Sequence, residues 1–178
     1  RTDDGVRIHG WFIPAAERAG DDAGPTPGSG RGGSSASVRP TTLLFFHGNA
    51  ENIGGCLDLA ALARPAGHNL LLLDYRGYGE SEGQPSERGL YRDGEAALLH
   101  LRSRQDVDPG RIVVWGRSIG AAVAVYLAAG DPGGAPAVAG VILESPFTSV
   151  QDLLRAGGHL VLYAASRFGT YRFDSAAR

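Results

Sequence analysis

The sequence predicts an α/β fold in which a mostly parallel sheet carries helices on both faces. Short apolar runs alternate along the chain with stretches of helical periodicity, which is typical of parallel sheets. Several of these runs are apolar throughout, as in strands that are buried on both faces. The composition, 43% hydrophobic and 20% charged among 178 residues, is that of a globular protein with one sizeable core.

Five segments are predicted to form strands. Residues 6–14 (VRIHGWFIP) alternate apolar and polar side chains, which indicates a strand with one buried face. Four continuous apolar runs indicate fully buried strands; they are residues 41–46 (TTLLFF), Asn69–Asp74 (NLLLLD), residues 111–115 (RIVVW) and residues 138–143 (VAGVIL). Because helical patterns separate these runs, right-handed crossovers should place them side by side in parallel.

Three stretches between the strands carry helical patterns. Residues 54–66 place Leu57, Leu59 and Leu62 at helix-like spacing. Residues 87–104 have the apolar periodicity of an amphipathic helix, and residues 119–129 are rich in Ala and Val. We find no convincing strand in residues 149–178, which are predicted to be helix or loop.

The chain, residues 1–178, is predicted to be one partial domain with an insertion. Residues 16–40 are dense in Gly, Ser, Pro and Ala without periodicity, which indicates a flexible loop. The first residue is Arg1 rather than Met, so we expect a processed or incomplete chain. Localisation stays open between the cytoplasm and a membrane anchor in a preceding segment, since no run here reaches about 18 apolar residues.

Charge and cysteine content narrow the function classes. The chain has 19 acidic and 17 basic residues, a net charge of −2. Such a balance lacks the basic footprint of nucleic-acid binding. Cys56 is the only cysteine, so no internal disulfide can form. No metal-ligand spacing and no glycine-rich phosphate loop is present, so we expect no metal and no cofactor.

The pattern G-x-S-x-G occurs twice, and one copy has the context of a nucleophile. Ser118 lies between Gly116 and Gly120, after a buried strand and directly before the Ala-rich helix. A nucleophilic serine needs this sharp strand-to-helix turn, which exposes the hydroxyl and aims free helix N–H groups at developing negative charge. Ser118 is therefore the predicted nucleophile.

The second copy surrounds Ser81 and lacks that context. Pro85 follows closely, so no helix begins at the turn. The neighbouring carboxylates of Glu80 and Glu82 would disfavour an oxyanion. Ser81 is therefore predicted to be a turn residue.

Four segments of the sequence form a distinctive set: FFHGNAENIGG, LLLLDYRGYGESEG, VVWGRSIGAAVA and LESPFTS. Together they resemble the α/β-hydrolase superfamily, most of all its abhydrolase-domain and serine-aminopeptidase-like or lysophospholipase-like groups. The resemblance covers nearly all of the chain outside residues 16–40. It implies an α/β-hydrolase fold and a serine hydrolase that cleaves an ester, thioester or amide of a small-molecule acyl substrate through an acyl-enzyme on Ser118.

The resemblance also implies an oxyanion hole. In such enzymes the residue after the nucleophile supplies one backbone N–H, and the loop after an earlier strand supplies the other. Carried over to this sequence, the donors are Ile119 and Asn49, with Ala50 as the alternative to Asn49.

Four other polar residues are expected to be structural. His47 is interpreted as shaping the loop that carries Asn49 rather than as a base. Asp74 and Arg76 are expected to brace the turn after their strand. Cys56 is expected to be a small buried side chain on the first helix.

The sequence departs from the family pattern after the nucleophile. The family places its acid and its histidine after two further strands, which we do not find in this sequence, so both residues are expected beyond Arg178. Within the chain, His159 is an alternative base and Glu144 an alternative acid, each weighed against a structural role. Asp131, Asp152 and Asp174 have no supporting context.

Two consequences follow from the missing strands. We expect an unpaired sheet edge with uncovered apolar surface, and therefore marginal stability or aggregation of this chain alone. The alternative function is a non-catalytic hydrolase-like binding module or an inactive fragment.

Overall fold

Five strands and three helices alternate in the computed structural model, which describes residues 1–16, 39–130, 138–149 and 151–152. The strands are β1 (His9–Ile13), β2 (Thr42–Phe46), β3 (Asn69–Asp74), β4 (Ile112–Arg117) and β5 (Gly140–Glu144). The helices are α1 (Leu57–Ala63), α2 (Glu87–Ser103) and α3 (Ile119–Ala129), with 3₁₀ turns at Ile53–Cys56 and Pro109–Arg111. The predicted insertion and almost all of residues 149–178 lie outside the described residues.

The strands form one sheet in the order β1-β3-β2-β4-β5. Among the described strands, β1 runs antiparallel to its neighbour, β3, and the other pairs are parallel. Phe46 of β2 lies opposite Gly116 of β4, which in turn lies opposite Leu143 of β5. The carboxyl ends of these three strands therefore meet at one edge, where open α/β sheets bind their ligands.

Helices cover both faces of the sheet, as predicted. On one face α2 and α3 pack over side chains such as Leu44 and Leu73. On the other face α1 packs over side chains such as Phe45 and Leu72. Since consecutive residues of β2 and β3 point to opposite faces, an apolar run is what a sheet covered on both sides requires.

The first helical segment differs from its prediction. Leu57 and Leu62 are 52% and 68% exposed, and only Leu59 of the three predicted apolar positions is buried. The chain enters α1 through the 3₁₀ turn at Ile53–Cys56, which advances three residues per turn and so shifts the buried face. The residues of this segment that face the sheet are Ile53, Cys56, Leu59 and Ala63.

Strand β5 lies at the edge of the sheet. Among the described residues it pairs only with β4, and Val141, Ile142 and Leu143 are each about 40% exposed. The unpaired edge stays a prediction, because residues 153–178 lie outside the described residues. Within the same described ranges, no helix is long and apolar enough to cross a membrane.

Candidate active site

Ser118 lies on a strained turn between β4 and α3. Its backbone has φ 53° and ψ −115°, a combination that L-residues rarely adopt and that costs of order 1–3 kcal/mol. Its N–H donates to the carbonyl oxygen of Glu144 at 2.9 Å, and its own carbonyl accepts from Ala121 at 2.9 Å. The serine is therefore the N-cap of α3, positioned between the ends of two parallel strands.

Gly116 and Gly120 allow this turn to close. A Cβ built on Gly116 would overlap the backbone of Gly120 and lie 2.6 Å from the Cα of Ala121. One built on Gly120 would overlap the carbonyl oxygen of Phe46 and lie 2.9 Å from that of His47. Both glycines are thus required by close backbone approach, and the start of α3 lies directly against the end of β2.

The loop after β2, residues 48–51, borders the turn that carries Ser118. The N–H of Gly48 donates to the Glu51 carboxylate at 3.1 Å, and the hydroxyl of Tyr78 donates to Asn49 Oδ1 at 2.7 Å. None of the hydrogen bonds among the described residues uses the backbone N–H of Asn49 or of Ile119. Ile119 is the first residue of α3, where backbone N–H groups have no partner within the helix.

Three residues other than glycine have a positive φ in the described part of the chain. They are Ala50 at 59°, Ser118 at 53° and Ser145 at 49°. Each follows the carboxyl end of a different parallel strand, β2, β4 and β5 respectively. Backbone strain in this sheet is thus concentrated at the edge that carries the predicted nucleophile.

A charged triplet joins the same three strand ends. Arg117, the last residue of β4, donates from Nε to Glu144 at 2.9 Å. Its NH1 lies 3.5 Å from the carboxylate of Glu51, and its guanidinium lies over the ring of Phe45 at 5.4 Å. Burial opposes the charged form of Arg117, but the hydrogen bond and charge of Glu144 outweigh it and raise the pKa of Arg117.

His47 is fully buried and shapes the loop, as predicted. Its Nδ1 lies 2.7 Å from the carbonyl oxygen of Gly48, a contact in which the ring nitrogen must donate. Its Nε2 faces Asp74 at 3.6 Å without a hydrogen bond. Burial lowers the pKa of His47, with the bond to Gly48 and the charge of Asp74 acting in the opposite direction. Because Nδ1 donates to Gly48 and Nε2 faces Asp74, the buried ring is a poor candidate for a base at Ser118.

Ser81, in the second G-x-S-x-G, links two strands. Its hydroxyl donates to the carbonyl oxygen of Asp74 at 2.7 Å and accepts from the backbone N–H of His9 at 2.8 Å. It thereby connects β1 to the end of β3, which agrees with its prediction as a turn residue. Its flanking Gly79 and Gly83 have φ values of 48° and 84°, so these glycines serve the turn by their positive φ.

The predicted bracing roles of Asp74 and Arg76 are confirmed. Asp74 accepts from the backbone N–H of Ile53 at 2.9 Å, and it packs so closely on Gly79 that a Cβ there would overlap its carboxylate. Arg76 donates to Asp93 on α2 and to Asp4 near the start of the chain. It therefore holds the β3–α2 connection as well as the turn.

Cys56 is buried, as predicted, at the end of the 3₁₀ turn before α1. Burial raises the pKa of its thiol, and the nearby carboxylate of Glu51 adds to that effect. The thiol donates to the carbonyl oxygen of Asn52 at 3.5 Å, and the side chain belongs to the apolar cluster that includes Ile53 and Leu59. It behaves as a small apolar side chain.

The base and the acid are not assigned among the described residues. His159, Asp131 and Asp174 lie outside them. The carboxylate of Asp152 accepts from Thr148, and that of Glu144 is paired with Arg117. No hydrogen bond joins Ser118 to a histidine within the described ranges, and no group there of three or more His, Cys or acidic residues could hold a metal ion.

The comparisons with known proteins establish the family. A family model described as alpha/beta hydrolase fold matches residues 41–177. The chain therefore belongs to the alpha/beta hydrolase family, in agreement with the fold described above and with the resemblance stated from the sequence.

Individual relatives are similar over most of this chain. The alpha/beta hydrolase domain-containing protein WAV2 of Arabidopsis thaliana is 39% identical over 154 residues, 86% of this chain and 43% of that protein. Protein bem46 of Schizosaccharomyces pombe is 40% identical over 146 residues, 79% of this chain and 46% of its own length. The chain thus spans about half the length of the curated relatives it matches.

Solved structures agree with this assignment. The alpha-beta hydrolase of Vibrio vulnificus superposes with a TM-score of 0.66 at 28% identity, covering 76% of this chain and 50% of that one. The alpha/beta hydrolase GrgF of Penicillium gives a TM-score of 0.63 at 25% identity, covering 94% and 52%.

Proposed function

We propose that the full-length protein is a serine hydrolase that cleaves an ester, thioester or amide bond of a small-molecule acyl substrate. The observation that carries the proposal is the backbone of Ser118, with φ 53° and ψ −115° between a buried strand and a helix N-terminus. Of the three strained residues, Ser118 is the one that caps α3, and a nucleophile on such a strand-to-helix turn gains an exposed hydroxyl beside free helix N–H groups.

In the proposed reaction, Ser118 Oγ bonds to the substrate carbonyl carbon while a base takes its proton. The negative charge that develops on the carbonyl oxygen is held by the backbone N–H groups of Ile119 and Asn49. Collapse of the tetrahedral intermediate expels the alcohol, thiol or amine, which receives the proton, and water then hydrolyses the acyl-enzyme.

The base and its acid partner are assigned to residues outside the described part of the chain. His159 is one candidate, and the longer relatives have room for others. Without a base, the rate should fall by several orders of magnitude, although binding and the oxyanion hole sustain some catalysis.

The two serines of the G-x-S-x-G patterns provide a matched test. In the full-length protein, Ser118→Ala should abolish both hydrolysis of p-nitrophenyl butyrate and covalent labelling by a fluorophosphonate. Ser81→Ala should keep wild-type kcat and labelling, while unfolding about 1–2 kcal/mol more easily because it leaves a donor and an acceptor unpaired.

Opposite outcomes would overturn the proposal. Normal turnover by Ser118→Ala would exclude Ser118 as the nucleophile. A folded wild-type protein that neither hydrolyses acyl esters nor reacts with the fluorophosphonate would favour the non-catalytic binding module.

A further inference from the structure

Three charged side chains link the strained positions at the edge of the sheet. Each is the immediate sequence neighbour of one residue with positive φ: Glu51 follows Ala50, Arg117 precedes Ser118, and Glu144 precedes Ser145. Arg117 contacts both carboxylates, so one side chain joins the ends of β2, β4 and β5.

We propose that Arg117 is a positioning residue that acts through Glu51 to hold the loop carrying the Asn49 N–H in its oxyanion-binding orientation. The inference rests on the proposed function, because it assigns a role within that same site. Arg117 itself does not touch the reacting atoms in this proposal.

The first step of the argument is the geometry of Arg117. Its Nε donates a hydrogen bond to Glu144 at 2.9 Å, and the ring of Phe45 lies beneath its guanidinium. Because the guanidinium is a rigid planar fork, fixing Nε and one face also fixes the direction of NH1. That direction leads to Glu51, 3.5 Å away.

The second step is the double role of Glu51. The carboxylate oxygen that faces Arg117 also accepts the N–H of Gly48, at 3.1 Å. The side chain of Glu51 is 37% exposed, so without the arginine its carboxylate can turn toward water. The hydrogen bond to Gly48 would then be lost. This bond closes the loop around Ala50, whose backbone is strained by its positive φ.

The third step concerns the direction of the donor. Asn49 lies between Gly48 and Ala50. The loop conformation that the Gly48–Glu51 hydrogen bond stabilises therefore also sets the direction of the Asn49 N–H. A loop that relaxes by about 1 Å no longer presents this N–H to a developing oxyanion, and misplacements of that size can reduce rates about 100-fold. The effect belongs to the transition state, since the charge forms only there.

The experiment measures kcat and KM of the full-length Arg117→Gln variant with p-nitrophenyl butyrate. We expect kcat to fall about 10- to 100-fold with little change in KM, the pattern of an interaction made in the transition state. The inhibition constant of an alkyl boronic acid, which forms a charged tetrahedral adduct with the serine, should rise by a similar factor. Arg117→Lys keeps the charge without the planar fork and should recover part of the loss.

Arg104 offers a matched control. Its Nε also donates to a carboxylate, that of Asp106 at 2.9 Å, and its guanidinium lies over an aromatic ring, that of Phe12. Its side chain is 28% exposed, against 26% for Arg117. Arg104→Gln removes comparable contacts away from the strand ends, and its kcat should match the wild type.

A double-variant cycle tests whether Arg117 acts through Glu51. Glu51→Gln alone should lower kcat. Adding it to Arg117→Gln should cause little further loss, because both substitutions disrupt the same Arg117–Glu51 contact. Additive losses, or an Arg117→Gln variant as active as Arg104→Gln, would overturn the inference while leaving Ser118 as the nucleophile. Turnover that does not depend on Ser118 would overturn the inference and the proposed function together.

Discussion

Replacing Gly120 by alanine tests whether the close approach of α3 to β2 controls the site. The new methyl group would overlap the carbonyl oxygen of Phe46 and lie 2.9 Å from that of His47. Both obstacles are backbone atoms, so no side-chain rotation relieves the contact. The start of α3 must move away from β2 by about 1 Å to restore an ordinary carbon–oxygen distance.

That movement should lower both stability and rate. Overpacking against backbone commonly costs 1–3 kcal/mol, and we expect about 3 kcal/mol here because neither neighbour can yield. Ser118 and the Ile119 N–H move with the helix, and a displacement of about 1 Å can reduce kcat roughly 100-fold. Both measurements use the full-length protein, for which a typical stability of about 5–15 kcal/mol leaves the variant mostly folded.

Gly55→Ala is the matched control for this substitution. Gly55 has no positive φ, and a Cβ built there meets nothing within 4 Å. Its free energy of unfolding in urea should stay within about 0.5 kcal/mol of the wild type, with unchanged kcat. If Gly120→Ala behaved like Gly55→Ala in both assays, the argument from backbone contact would be refuted.

Two other perturbations probe the frame of the site. Arg76→Met should destabilise the protein by about 3 kcal/mol, because Asp93 stays buried without its cation. Removing the partly exposed side chain of Arg92 should cost less than about 1 kcal/mol. Unfolding in urea measures both losses. A larger loss for Arg92 would contradict this ranking. His47 should make stability pH-dependent: burial lowers its folded-state pKa, so the unfolded chain binds more protons, and stability should fall as pH drops below about 6.5. His47→Gln should show a flatter dependence between pH 7.5 and 5.5, and an equal slope in both proteins would count against it.

The sequence predicted every described strand and helix because each has a local signature. Apolar runs such as Asn69–Asp74 identify fully buried strands within a residue or two, and alternation identified β1 as a half-buried strand. The error in α1 arose because the helical pattern was assumed to be continuous, whereas the 3₁₀ turn at Ile53–Cys56 rotates the buried face. None of the residue types in that turn indicates that the chain changes from 3₁₀ to α-helical periodicity there.

The site was predictable only where its residues are close in sequence. The glycines around Ser118 lie two positions away, so the pattern and its context distinguish this serine from Ser81. The contacts of Arg117 join residues 27 and 66 positions away, Glu144 and Glu51, and such pairs depend on strand order. One signal for Arg117 was available in the sequence, namely its position. As the residue before Ser118 it ends its strand, so its side chain lies near the loops that follow the neighbouring parallel strands.

The strain at this sheet edge has an energetic consequence. Three residues at about 1–3 kcal/mol each represent a cost comparable with the net stability of a domain. Such conformations persist only where the surroundings over-determine them, as the Ser118–Glu144 backbone bond and the Gly48–Glu51 bond do here. Loosening one of these contacts releases strain while it removes a bond, so the two effects on global stability partly cancel. A displacement of the backbone N–H groups of the oxyanion hole is not offset in this way. Changes at Arg117 and Glu51 should therefore affect kcat more strongly than the melting temperature.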